Sequence, residues 1–209
     1  MNIDKNTPRF LGAAFLLQAV ASLVSGLFLA PGDLLDTSVS DHIAETMIDI
    51  ADHATRMRAS IVGEMITAIG IALLGSLLFT ILRKRNEQIV RVALGLYLIE
   101  AGLLAVREIL IFALLTVSQE SVAAGHPVHL QSMGKILYES QNFGYSLHTL
   151  VFACGATMFY YVFFRSGYLP RLLALWGLIA AHWRLSESCL SCLIMRFRWW
   201  YSCPISPLS

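Results

Sequence analysis

Apolar residues in this chain fall in long blocks divided by short polar stretches. Residues 10–30 form the first block, and Pro31-Gly32-Asp33 breaks it. Further blocks run over about 59–82, 89–117 and 143–164. A fifth begins at Leu172 and stays apolar only to Ala181. A helix needs about 20 apolar residues to cross about 30 Å of hydrocarbon, and the first four blocks meet that length. The pattern predicts an all-α protein, a polytopic transmembrane helical bundle with four clear spans and a truncated fifth. Residues 1–181 therefore read as one helical-bundle domain.

The segment between the first two blocks carries a different period. Val39, Ile43, Met47, Ile50, Ala54 and Met57 recur at spacings of three and four, the apolar stripe of an amphipathic helix. Ser38 and Asp41 offer a capping box at its start. The polar face holds His42, Glu45, Asp49, Asp52 and Arg56. Such a helix is expected on the outer surface of the bundle or at the lipid interface.

Composition narrows the class. Of 209 residues, 56% are hydrophobic and only 14% charged, against about 25% charged in ordinary soluble domains. The net charge of +1 gives no footprint for nucleic acid. The cysteines stand at 154, 189, 192 and 203, crowded toward the end, and make no disulfide framework. Lys5 and Arg9 precede the first block in the manner of a signal peptide. That block is longer than a signal core, and Pro31 would follow the candidate cleavage point, so it is expected to stay as a span.

Charge sets the expected orientation. The N-terminal segment and the 83–91 and 165–171 turns hold Lys5, Arg9, Arg83, Lys84, Arg85, Arg91, Arg165 and Arg171. The other connections hold only Arg56, Arg58 and Lys135, eight basic residues against three. Basic residues favour the cytoplasmic side. The N-terminus is thus expected inside, with loops 31–58 and 118–142 outside, which makes the amphipathic helix extracytoplasmic. Small residues mark expected helix contacts, at Ala68, Ala72 and Ser76 and at Ala101 and Ala105.

Ionisable residues inside spans are costly and are functional candidates by default. Here they are Glu64, Glu100, Arg107, Glu108 and His148, with Gln18 as a neutral companion. At 1.5 Å per residue, Glu64 and His148 lie roughly 7–8 Å from the outer ends of their spans. Arg107 and Glu108 lie roughly 10–15 Å in. These four share the outer half of the bilayer, while Gln18 and Glu100 share a deeper layer. One reading is an outward-facing pocket that binds a small polar ligand or relays protons. The other is a structural ion pair, Arg107 with Glu64 or Glu108, beside an interfacial histidine. An unpaired buried charge is expensive under either reading.

Other candidates are weaker. His42 with Glu45, and Asp49 with His53, have helical spacing but match no zinc pattern. His126 and His129 flank Pro127 and read as loop residues. Cys189-x-x-Cys192 lacks a second half. No phosphate loop, nucleophile elbow or His-Glu-x-x-His helix is present, so neither a metal nor a cofactor is expected.

Several short pieces in order carry a resemblance. Arg9-Phe10-Leu11-Gly12 opens the first span, and Arg58 precedes Glu64 in the second. Arg91 leads to Glu100-Ala101 in the third, and Phe164-Arg165-Ser166-Gly167-Tyr168-Leu169-Pro170-Arg171 follows the fourth. Together they resemble an integral-membrane family catalogued as domain of unknown function 4386, over residues 8–181. The resemblance implies a multi-pass protein of the bacterial inner membrane with about six spans. It implies no reaction, ligand or partner beyond the bilayer.

After Ala181 the chain departs from that pattern. Ten residues of the fifth block rise only about 15 Å, and His182, Trp183 and Arg184 follow. Residues 182–209 hold three of the four cysteines and three of the four tryptophans. This tail is expected to be foreign to the family, the product of a shifted reading frame, with no stable partner in the bundle. An interfacial tail with Trp199, Trp200 and Tyr201 at the headgroups is the alternative. The functional expectation is an uncharacterised binding, sensing or structural membrane module rather than an enzyme. The alternative is a small transporter or proton-coupled carrier using the polar layer.

Overall fold

The computed structural model describes residues 43–167 and 171–202 together with Val20, and side chains as far as 186. Span 10–30, Gln18 and the Ser38 cap lie outside the described residues. Among the described residues there are five helices and no strand. They are α1 (Ile43–Asp52), α2 (Ala54–Leu82), α3 (Glu87–Ala123), α4 (Val128–Ser166) and α5 (Arg171–Ser202).

The short α1 carries only Ile43, Met47 and Ile50 of the predicted stripe, because a turn at His53 places Ala54 and Met57 on α2 and Val39 lies outside the described residues. Met47 and Ile50 are fully buried, and Thr46 nearly so. The helix lies mainly on α3 and to a lesser extent on α4. Met47 fits against Gly134 of α4, where a Cβ would collide with its thioether. Ile50 and Met57 join Ile111, Leu114, Leu115 and Tyr138 in one apolar cluster. The stripe therefore covers protein. His53 separates α1 from α2, and its Nδ1 sits 3.0 Å from the Asp49 carboxylate.

The long helices begin and end on local chemistry. Asn86 caps α3, its Oδ1 accepting from the Ile89 N–H at 3.2 Å. Glu87 then pairs with Arg91 one turn on. Gly125 and His126 turn the chain at positive φ between α3 and α4, and the His126 N–H reaches the Ser121 carbonyl at 2.8 Å. Gly167 closes α4 in the left-handed conformation, donating to the Phe163 carbonyl.

Helix α3 packs along both α2 and α4, and α4 packs along α5 as well. Helix α2 barely meets α4. Tyr97 sits at the centre of the core. Its ring stands edge-on to Phe159 with centroids 5.0 Å apart. Gly155 of α4 and Gly75 of α2 both lie against it. Ala68, Ile71, Leu74, Leu78, Leu104 and Val162 surround it in the larger apolar cluster. Gly177 of α5 lies against the Tyr160 ring in the same manner.

Two expectations change. The 118–142 segment is no loop: α3 runs to Ala123 and α4 starts at Val128. The small-residue stripe on α2 is also rotated from the predicted one. Ala68 is buried, but Ser76 is exposed and bonds back to the Ala72 carbonyl, while Gly75 makes the contact. Two helices, α2 and α4, are long and apolar enough to cross a membrane.

Candidate functional site

The polar residues of the core gather on α3 and the facing stripe of α4. Arg107 Nη1 donates to Glu108 Oε1 at 2.9 Å. The two residues are adjacent on one helix, and they are 9% and 2% exposed. Gly144 on α4 leaves room for the Arg107 stem, where a Cβ would meet it at 3.7 Å. The Arg107 guanidinium then lies over the Tyr145 ring, 5.3 Å from its centroid. Tyr145 in turn meets the His148 imidazole edge-on at 5.2 Å.

Four of the predicted residues therefore share one level. Glu64 on α2 lies close enough to Glu108 to act on its carboxylate electrostatically. His148 stands in the same relation to Arg107. The ion pair that Arg107 makes is with Glu108 and not with Glu64, the partner expected from their similar depth. Glu64 has an interaction of its own.

Glu100 lies apart, two turns from Arg107 along α3, about 10 Å. It is 2% exposed among Tyr97, Ala101 and Leu104 of the apolar cluster. Its Oε2 has no hydrogen-bond partner among the described residues. Gln18, expected in one layer with Glu100, lies outside the described residues.

Sequence reading missed two members. Gln141 is fully buried, with Nε2 on Asn142 Oδ1 at 2.8 Å and Oε1 without a partner. Tyr145 carries the contact between Arg107 and His148. The available signal was spacing: Gln141, Tyr145 and His148 stand four and three apart, on one helical stripe. Arg107 Nε and His148 Nδ1 are likewise buried without a partner among the described residues. The arrangement thus offers a guanidinium donor, an amide acceptor and an imidazole along one seam between α3 and α4. Among the described residues no three His, Cys, Asp or Glu side chains converge as metal ligands. His53 of the outer set is engaged with Asp49.

No curated protein and no solved structure matches this chain. The family model described as a domain of unknown function, DUF4386, matches residues 10–206. That match corrects the expected limit at Ala181. Helix α5 is likewise continuous to Ser202. Trp183 and Arg184 both engage other groups, and Arg184 is near enough to His148 to act on it. The match runs from the start of the first apolar block to nearly the end of the chain, and this protein belongs to the DUF4386 family.

Proposed function

We propose that this protein is a multi-pass integral membrane module that binds a small polar ligand at the Arg107–Glu108 level. The membrane part rests on an inside-out distribution of side chains. Val62, Ile66, Ile69 and Leu73 on α2 are exposed, as are Leu98, Ile99, Val106, Ile109 and Phe112 on α3. In water such continuous apolar faces are a liability, and in lipid they are the solvent-facing surface. Glu100, Arg107 and Glu108 of α3 instead turn inward. Block 89–117, read as a span, lies within α3 and holds these three buried residues. The 37 residues of α3 rise roughly 55 Å, ample to cross. With span 10–30 the bundle has its N-terminus in the cytoplasm and α1 on the outer side. The bacterial inner membrane is the compartment that this reading takes.

One observation carries the ligand reading. The buried ion pair joins neighbours on a single helix, so it fastens no two helices together. A structural clamp would run between helices and would satisfy its remaining polar atoms. Here Arg107 Nε, Gln141 Oε1 and His148 Nδ1 stay without partners among the described residues. A small amino acid has the matching groups, a carboxylate to accept from Arg107 Nε–H and an ammonium to donate to Gln141 Oε1.

The test is a thermal-shift screen of full-length detergent-purified protein against amino acids, short carboxylic acids and small amines. At least one compound should raise the Tm of the natural protein and leave Arg107→Gln unmoved. A shift that persists in Arg107→Gln, or no shift from any of these classes, overturns the ligand reading. A carrier is the second reading, favoured by Glu100, buried deep in α3 with no partner for its Oε2 among the described residues. It requires a water path from Glu100 to one face, and proton-coupled uptake into liposomes that Glu100→Gln abolishes would establish it.

A further inference from the structure

The opposite end of the bundle carries a second polar feature, unrelated to the buried cluster. The turn between α2 and α3 meets the last turn of α4 there. Between them lies a cleft of about 250 Å³, lined by Arg85, Asn86, Tyr161, Val162, Arg165 and Ser166. At ~30 Å³ per water, that is room for about eight waters, or for a phosphate group with its ester substituents.

The lining chemistry is that of a phosphate site. Arg165 Nη1 donates to the Tyr161 hydroxyl at 3.2 Å, which leaves the Tyr161 proton free to donate onward. The other guanidinium N–H groups of Arg165 remain for an oxyanion. Asn86 spends its Oδ1 on the Ile89 amide, so its side-chain NH₂ faces outward as a donor. Helix α3 begins at this turn and directs the positive end of its dipole the same way.

Charge supplies the second argument. Segments 83–91 and 165–171 hold six basic residues, Arg83, Lys84, Arg85, Arg91, Arg165 and Arg171, and one acidic residue, Glu87. Glu87 is engaged by Arg91. Basic residues therefore outnumber acidic ones in these turns by four even when Arg85, which has an interaction of its own, is left out. The cleft is also flanked by apolar side chains. Tyr161 in its lining and Phe164, next to Arg165 on α4, are each 40% exposed. A free phosphate has no use for that flank, whereas acyl chains below a headgroup do.

We propose that this cleft holds the phosphate of an anionic phospholipid headgroup in the cytoplasmic leaflet. The inference rests on the membrane reading above and not on the ligand reading. Basic pockets between helices on the cytoplasmic side are suited to such headgroups.

The experiment uses the full-length protein in dodecyl maltoside with added phosphatidylglycerol, phosphatidylcholine or inorganic phosphate. Phosphatidylglycerol at tenfold its Kd should raise the Tm by about 3–5 °C. The double variant Arg85→Gln/Arg165→Gln should lose that shift. The variant Arg83→Gln/Lys84→Gln removes the same charge outside the cleft lining and should keep it. If the double variant does not survive purification, Arg165→Lys should keep the fold and lose more than half of the shift, because a point charge cannot replace the planar fork. An equal loss in Arg83→Gln/Lys84→Gln would mean diffuse attraction and overturn the site. An equal shift from phosphatidylcholine would overturn anion recognition, and one from inorganic phosphate would overturn lipid as the occupant. Failure of the membrane reading is distinguishable, because the protein would then be recovered from cells in the aqueous fraction.

Discussion

At the scale of single residues, the decisive feature is that Arg107 and Glu108 neutralise each other within one helix. Removing either alone leaves its partner charged and buried. Arg107→Gln should therefore destabilise the detergent-solubilised protein by about 3–5 kcal/mol, the cost of breaking a buried pair. Arg107→Gln/Glu108→Gln should recover part of that loss. The coupling of Arg107 to Glu64 should be smaller, because Glu64 acts on the pair from the neighbouring helix. Denaturant titrations of the single and double variants measure both couplings. Simple additivity for Arg107 with Glu108 would mean that the pair contributes nothing. The ionisable members of this cluster were legible in sequence because each is an isolated charge in an apolar block. Tyr145 and Gln141 were not, because a tyrosine or glutamine near a span end is ordinary. Only the α3–α4 contact gives them a role.

At the scale of elements, the packing depends on glycines facing aromatic rings. A Cβ on Gly155 would stand 2.8 Å from Tyr97 Cδ2, and the ring is held by Phe159 and Phe152. Gly155→Ala should cost about 1–3 kcal/mol by overpacking. Gly155→Ala/Tyr97→Leu should recover part of the loss. Gly70 has nothing within 4 Å of the same position, so Gly70→Ala is the control. It should be neutral, or stabilising by up to about 1 kcal/mol through helix propensity. Thermal unfolding of the three variants in one detergent decides it, and a Gly70→Ala loss equal to that of Gly155→Ala would refute the ring contact. Sequence reading found the right kind of residue on α2 but chose Ser76 over its neighbour Gly75. A stripe of small residues fixes the helical period and leaves the face open by one position. The tail is an element-scale matter too. Arg184 and Glu187 remain costly in a spanning helix, yet the family match covers them. Translating the other two DNA frames from about codon 181 decides between the readings. An apolar continuation followed by another span in either frame would establish a shifted frame, and its absence a native tail.

At the scale of the whole molecule, helices extend past the apolar blocks that announced them. Block 89–117 became a helix of 37 residues, and block 143–164 one of 39. Hydropathy reports the part of a helix that faces lipid, whereas backbone hydrogen bonding continues as long as a partner surface does. Here α1 is that surface, since Met47 and Ile50 cover the far ends of α3 and α4. The segment 118–142 thus looked like a loop because its outer face is polar, not because its backbone is irregular. The two ends of the molecule differ in charge accordingly. Glu45, Asp49, Asp52, Glu120 and Glu139 lie toward the α1 end, and the six basic residues of 83–91 and 165–171 toward the other. Basic residues stay in the cytoplasm during insertion, so the α1 end should be outside. Single cysteines test this at the two exposed turns, Ala124 at the acidic end and Asn86 at the basic end. In a variant lacking the native cysteines, Ala124→Cys should react with an impermeant maleimide on intact cells. Asn86→Cys should react only after the membrane is opened. Labelling of Asn86→Cys from outside, with Ala124→Cys protected, would invert the molecule. It would also move the proposed phosphate cleft to the outer leaflet.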